Sequence, residues 1–175
     1  MRRWLWIILA AGLLGLSGEF AAAEGILQAD RLGPVRLGMS VAEAEEALGA
    51  TLAPVTGDRQ EACWFAGRAD GADPGIAYMV VADRITRIDV LKPQDGPTPS
   101  VTTAAGIGIG ATLAEVRRRY GPALPLVPHP IGALSQWALV EPSDQGGIRL
   151  HIADGKVIEF WAGREPYLDY PEGCS

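Results

Sequence analysis

The sequence predicts an α+β protein: two tandem helix-plus-three-strand repeats forming one antiparallel sheet, with the helices on one face. Three observations predict it. The stretch over residues 34–49 returns over residues 106–121, with Gly38 falling on Gly110, Ser40 on Thr112, Glu43 on Glu115 and Gly49 on Gly121, a shift of 72. Fixed-period self-similarity is the mark of one supersecondary unit used twice. Both copies carry start and stop signals of a helix, and the strand-like runs downstream recur at the same shift: Gly75-Ile76-x-Tyr78-x-Val80 matches Gly147-Ile148-x-Leu150-x-Ile152, and Ile88 matches Phe160.

Each helix follows from its caps and its apolar spacing. Ser40-x-x-Glu43 and Thr112-x-x-Glu115 are capping boxes, in which hydroxyl and carboxylate satisfy each other's backbone amides. A closing glycine at 49 and at 121 offers a left-handed exit. Between the signals, Val41, Ala44 and Leu48, then Leu113, Val116 and Tyr120, fall on one helical stripe. Helices of about two to three turns are marginal in water and must lie on an apolar support. Their solvent sides differ in charge, Glu45 and Glu46 standing where the second copy has Arg117 and Arg118.

The strands follow in order. Residues 24–33 enter extended. After the first helix come candidate strands over 61–66, 76–82 and 85–91, with Asp83-Arg84 as a tight turn. Residues 93–100, rich in proline and polar residues, read as a linker between repeat 1 (24–92) and repeat 2 (101–175, including a C-terminal tail), the two forming one compact domain. Residues 101–105 open the second unit. Prolines 122, 125, 128 and 130 exclude regular helix after its helical segment. Candidate strands follow over 135–141, 148–153 and 156–162, with Asp154-Gly155 as a hairpin turn. The tail, residues 165–175, is expected to be extended.

Ahead of this lies a leader. Met-Arg-Arg precedes an almost wholly apolar run over 4–16, and Ala21-Ala22-Ala23 follows it. That is the pattern of a signal peptide over 1–23, cleaved after Ala23. The run is short for a membrane span, so the expectation is a periplasmic or secreted protein with no stable membrane insertion after cleavage. The remaining 152 residues suffice for a sizeable core and carry thirteen basic and twenty acidic side chains. An acidic chain without a basic run is a poor nucleic-acid binder. Two cysteines in an oxidising compartment predict a disulfide, Cys63 to Cys174.

Strand alternation sends Ile148, Leu150, Ile152, Ile158 and Phe160 toward the helices. It leaves Met79, Arg87, Asp89, Arg149, His151, Glu159 and Trp161 on the opposite face, with Trp137 able to join either. Tryptophan, arginine and methionine beside ionisable groups match the composition of protein-binding hot spots. Two alternatives stand for Trp161: exposed for a partner, or covered by the tail through Tyr167, Leu168 and Tyr170.

Catalytic and cofactor signals are weak. Gly106-x-Gly108-x-x-Ala111 opens a helix, but a proline-rich segment follows it instead of a parallel strand ending in an acid. His129 and His151 lack neighbours at metal-ligand spacing, and no serine sits in Gly-x-Ser-x-Gly. The expectation is therefore no enzyme, no cofactor and no metal.

The repeated Leu-Gly-Met-Ser-x-x-Glu-x-x-x-x-Leu-Gly of residues 37–49, with its partner at 109–121, resembles the repeat of the SmpA/OmlA (BamE) lipoproteins. Two copies in tandem resemble the layout of the beta-lactamase-inhibitor proteins (BLIP). The resemblance implies helix-plus-sheet units whose sheet binds another protein. The lipoprotein acylation cysteine is missing here, and the single long-range cysteine pair departs from a disulfide within each inhibitor repeat. The function expected is a secreted or periplasmic protein-binding module acting through an open sheet face on an envelope or secreted protein. The alternatives are a small-ligand or carbohydrate binder using exposed tryptophans, and an unrecognised hydrolase.

Overall fold

The computed structural model describes residues 24–57, 62–132 and 134–174; the expected signal peptide and its cleavage point lie outside them. The elements run β1 (Glu24–Gln28), β2 (Arg31–Leu32), β3 (Val35–Arg36), α1 (Val41–Leu48), β4 (Leu52–Pro54), β5 (Cys63–Arg68), β6 (Ile76–Val81), β7 (Arg84–Leu91), β8 (Ser100–Thr103), α2 (Leu113–Tyr120), β9 (Val127–Pro128), β10 (Ser135–Ser143), β11 (Gly146–Ala153) and β12 (Lys156–Arg164), then a 3-10 turn at Tyr167–Asp169.

The expected single sheet is corrected to two. A four-stranded sheet has the order β3-β2-β1-β8, and an eight-stranded sheet the order β4-β5-β6-β7-β12-β11-β10-β9. The described residues are mostly strand, with two eight-residue helices among them, and do not form a helix-plus-strand repeat on one sheet. Nor is all pairing antiparallel, because β1 pairs β8 in parallel, Gly25 opposite Val101 and Leu27 opposite Thr103. The strands absent from the expectation are β2, β3, β4 and β9, of two or three residues each. Such short segments carry no periodicity to read. Pro54 and Pro128 occur in β4 and β9, the two edges of the large sheet, where a missing N–H is tolerated.

Within the large sheet, order and spacing coincide. Outward from the central pair β7 and β12, strands of the first half lie on one side and those of the second on the other. Cys63 and Ser135 open β5 and β10, and Arg84 and Lys156 open β7 and β12, each pair 72 residues apart. Ser40 bridges Arg84 as Thr112 bridges Lys156. Both capping boxes form. Ser40 Oγ accepts from the Glu43 amide at 3.2 Å while Glu43 Oε2 accepts from the Ser40 amide at 2.7 Å, and Thr112 and Glu115 repeat this at 3.2 and 2.8 Å. The helix exits differ. Gly49 is left-handed at φ 61°, whereas Gly121 leaves at φ 104°, ψ 146°, outside the expected conformation.

One side of the large sheet is the main core. Val41, Ala44 and Val116 from the helices, and Leu27, Val35 and Val101 from the smaller sheet, close over Tyr78, Val80, Ile88, Leu150, Ile152 and Phe160. Ile158 does not join them and is 41 % exposed. The register explains it: His151 pairs Glu159 and Ile152 pairs Val157, so Ile158 is the extra residue of a β-bulge. A bulge inserts one residue and breaks the alternation. The other half bulges at the matching place, with Met79 opposite Arg87, Val80 opposite Ile85, and Thr86 skipped.

Candidate binding face of the large sheet

Residues directly opposite each other on paired strands share a face, and the register lays the other side of the large sheet out in three cross-strand rows. Val127, Trp137, His151, Glu159 and Leu91 make the first, and Leu139, Arg149, Trp161, Asp89 and Ala77 the second. Gly147, Gly163, Arg87, Met79 and Phe65 make the third. The seven residues expected on this face are therefore brought together, and Trp137, left open between the two faces, joins them.

They are not left open. Trp161 is 2 % exposed and Met79 fully buried, and only Glu159 among the eight keeps substantial accessibility. The cover is the C-terminal tail, which turns back after β12 and packs on β7, β11 and β12. Leu168 is fully buried in a small cluster with Trp137 and Trp161. The Trp161 indole N–H donates to the Leu168 carbonyl at 2.8 Å. Arg87 donates through one guanidinium nitrogen to the Tyr170 carbonyl at 2.7 Å, and Arg149 pairs with Asp169. The Cys63–Cys174 disulfide, closing a separation of 111 residues, pins the end of the tail to β5. Of the two alternatives for Trp161, the covered one holds in this structure.

Two glycines admit the tail. A Cβ on Gly163 would lie 3.3 Å from Leu168 Cα and 3.2 Å from Arg87 Cγ, and one on Gly173 only 2.5 Å from the Phe65 ring. Bare backbone is what lets a second chain segment lie this close.

Electrostatically the face is a set of short-range pairs. Arg87 grips Asp89 through Nε at 3.0 Å and a terminal nitrogen at 2.6 Å. Its guanidinium also lies 4.7 Å from the Trp161 ring centroid and 5.7 Å from that of Phe65. Burial raises the Asp89 pKa above the usual carboxylate range, and Arg87 opposes that rise. Burial likewise lowers the Arg149 pKa, with Glu165 opposing. His151 Nδ1 is 2.7 Å from Glu159 Oε1. His129, reaching in from the loop after β9, stacks on His151 at 4.3 Å and meets the Trp137 ring edge-on at 4.8 Å. Its pKa is lowered by burial and by His151.

Sequence reasoning assigned neither Phe65 nor His129 to this face. Phe65 was legible, since alternation puts it on the side of Cys63. His129 was not, because a loop residue between prolines gives no sign of stacking on a distant strand. Among the described residues, three buried polar atoms here have no hydrogen-bond partner: Trp137 Nε1, Arg149 Nε and His151 Nε2. The arrangement can recognise a ligand through N–H donors, aromatic faces and paired charges. Among the described residues no group of three or more His, Cys, Asp or Glu is placed to hold a metal ion, and no helix is long and apolar enough to cross a membrane.

Compared with known proteins, the chain matches no family model, no curated protein and no solved structure. The resemblance to the SmpA/OmlA and beta-lactamase-inhibitor repeats accordingly rests on the two helix motifs alone.

Proposed function

We propose that this chain is a periplasmic or secreted, non-enzymatic binding protein whose partner is another envelope or secreted protein, engaged through the face of the three rows. One observation carries it. A complete sheet face is furnished with Trp, Arg, His, Met and Asp, and its cover is mostly a single short segment of the chain's own end. An ordinary second core would be apolar, and an ordinary solvated face would be bare of large buried aromatics. The uncovered margin continues with Leu139 and Val127 and with Ile131 and Leu134 of the neighbouring loop, all exposed. Apolar residues at the rim of a polar-aromatic patch are what a protein partner buries. The disulfide suits an oxidising compartment, and the tandem resemblance points to binding through a sheet.

The test is crosslinked capture from the native envelope with wild type and with Leu139→Asp/Glu159→Lys. The expected result is one crosslinked partner, lost in the variant. Equal capture by both would overturn the reading.

A second reading, a small-ligand site, is favoured by the three unpartnered polar atoms around Trp137. Buried polar atoms without partners are costly, and a ligand accepting from the Trp137 and Arg149 N–H groups would relieve that cost. A change in indole fluorescence on titration with small carboxylates or sugars, abolished in Trp137→Phe, is the result expected of it.

A further inference from the structure

Beneath the tail, each contact to the sheet reads a separable feature of the tail's sequence. The Leu168 side chain fills the hollow over Gly163, against Trp137 and Trp161. The carbonyl of that same leucine is held by the Trp161 indole. The next side chain, Asp169, meets Arg149. The following carbonyl, that of Tyr170, is held by Arg87. An apolar side chain in a hollow, a carboxylate on an arginine and main-chain carbonyls on fixed donors are the components of a peptide-recognition site.

We infer that this face is a groove for a short segment carrying leucine followed by an acidic residue in a single 3-10 turn, not extended as expected of the tail, that the chain's own tail is its resident occupant, and that the Cys63–Cys174 disulfide latches that occupant in place. This deepens the proposed function, on whose binding face it rests, by stating the partner's chemistry and the control over its access. Both cysteines are partly exposed. A dithiol reductant can therefore exchange with the bridge: the S–S bond breaks, two electrons pass to the cysteines, both leave as thiols, and the reductant closes its own disulfide. The tail stays tethered at β12 and competes at an effective concentration on the order of millimolar. Reduction alone thus loosens the tail, and a partner segment completes its displacement.

Two measurements test this on the full chain. The first is hydrogen exchange of Cys63→Ser/Cys174→Ser against wild type. The amides of Asp169 and Gly173, bonded within the tail, are expected to exchange at least tenfold faster, while the β6–β7 and β11–β12 ladders keep their protection. Joint loss of protection in tail and ladders would overturn the inference, because the tail would then belong to the cooperative fold. The second uses a fluorescein-labelled peptide of residues 165–172. It is expected to saturate the Cys63→Ser/Leu168→Ala/Asp169→Ala/Cys174→Ser protein and not oxidised wild type, and to lose at least tenfold in affinity when its own Leu and Asp are replaced by Ala. No binding to the folded variant, or binding indifferent to those replacements, would overturn it. Envelope capture equal in oxidised and reduced wild type would defeat the latch and leave the proposed function standing. Peptide binding without any envelope partner would do the reverse.

Discussion

One face of the eight-stranded sheet lies under α1, α2 and the smaller sheet; the other lies under the C-terminal tail and the loop after β9. On the first, Ile88, Ile148, Leu150 and Phe160 are fully buried among other apolar side chains. Non-directional burial of this kind tolerates no partial opening. On the second, the contacts are mainly directional: the Trp161 and Arg87 hydrogen bonds to tail carbonyls, the Arg149–Asp169 pair and one covalent bridge. Directional contacts can be exchanged for equivalent contacts to another molecule at little net cost, because hydrogen bonds traded one for one contribute modestly. The difference separates the face that makes the fold from the face available for recognition.

The largest test of this contrast is Phe160→Ala, which should cost about 3–5 kcal/mol as a core truncation. Equilibrium urea denaturation reads it, with one cooperative transition for the whole molecule. Arg87→Leu is expected to approach that figure, about 3–5 kcal/mol, by stranding a buried Asp89 charge, whereas Arg87→Leu/Asp89→Leu should recover most of the loss. A double variant as unstable as the single one would mean that Arg87 matters chiefly through the tail and not through Asp89. Ser40→Ala and Thr112→Ala should each cost about 1 kcal/mol as lost caps, measured by thermal unfolding, and the two should be additive because they lie on separate helices.

The smallest effect is in the acid limb. The pKa values of Glu43 and Glu115 are lowered, first by the cap amides and then by the cap hydroxyls. A depressed carboxylate stabilises the fold above its unfolded pKa and loses that contribution as pH falls through the folded value. Wild type should therefore lose stability between about pH 5 and pH 3 more steeply than Glu43→Gln/Glu115→Gln, in denaturation curves taken across that range.

The legibility of the structure in the sequence divides along similar lines. Caps and period-3.6 stripes located both helices, since a capping box is a local, self-contained signal. Period-2 alternation placed seven of the eight candidate residues on one face and left Trp137 open, because the long strands are regular over most of their length. It failed at Ile158, where a bulge adds a residue that alternation cannot foresee. It was also silent on β2, β3, β4 and β9, too short to have a period, and on the parallel pairing of β1 with β8, a contact between segments far apart in sequence, Glu24 opposite Ser100. The smaller sheet was therefore invisible, and with it the true fold class. The tail as cover was legible only as one of two alternatives, because nothing local to Tyr167, Leu168 or Tyr170 says which surface they will meet.

The central seam has a consequence for how the molecule is made. The first half ends with β7, whose inner edge is completed only by β12, in residues 156–164. Until residues 156–164 are available, the chain thus carries an unpaired strand edge, half of whose residues are apolar. Exposed edges of that kind recruit other chains, so premature termination between residues 92 and 155 should leave fragments that aggregate instead of a stable half-molecule.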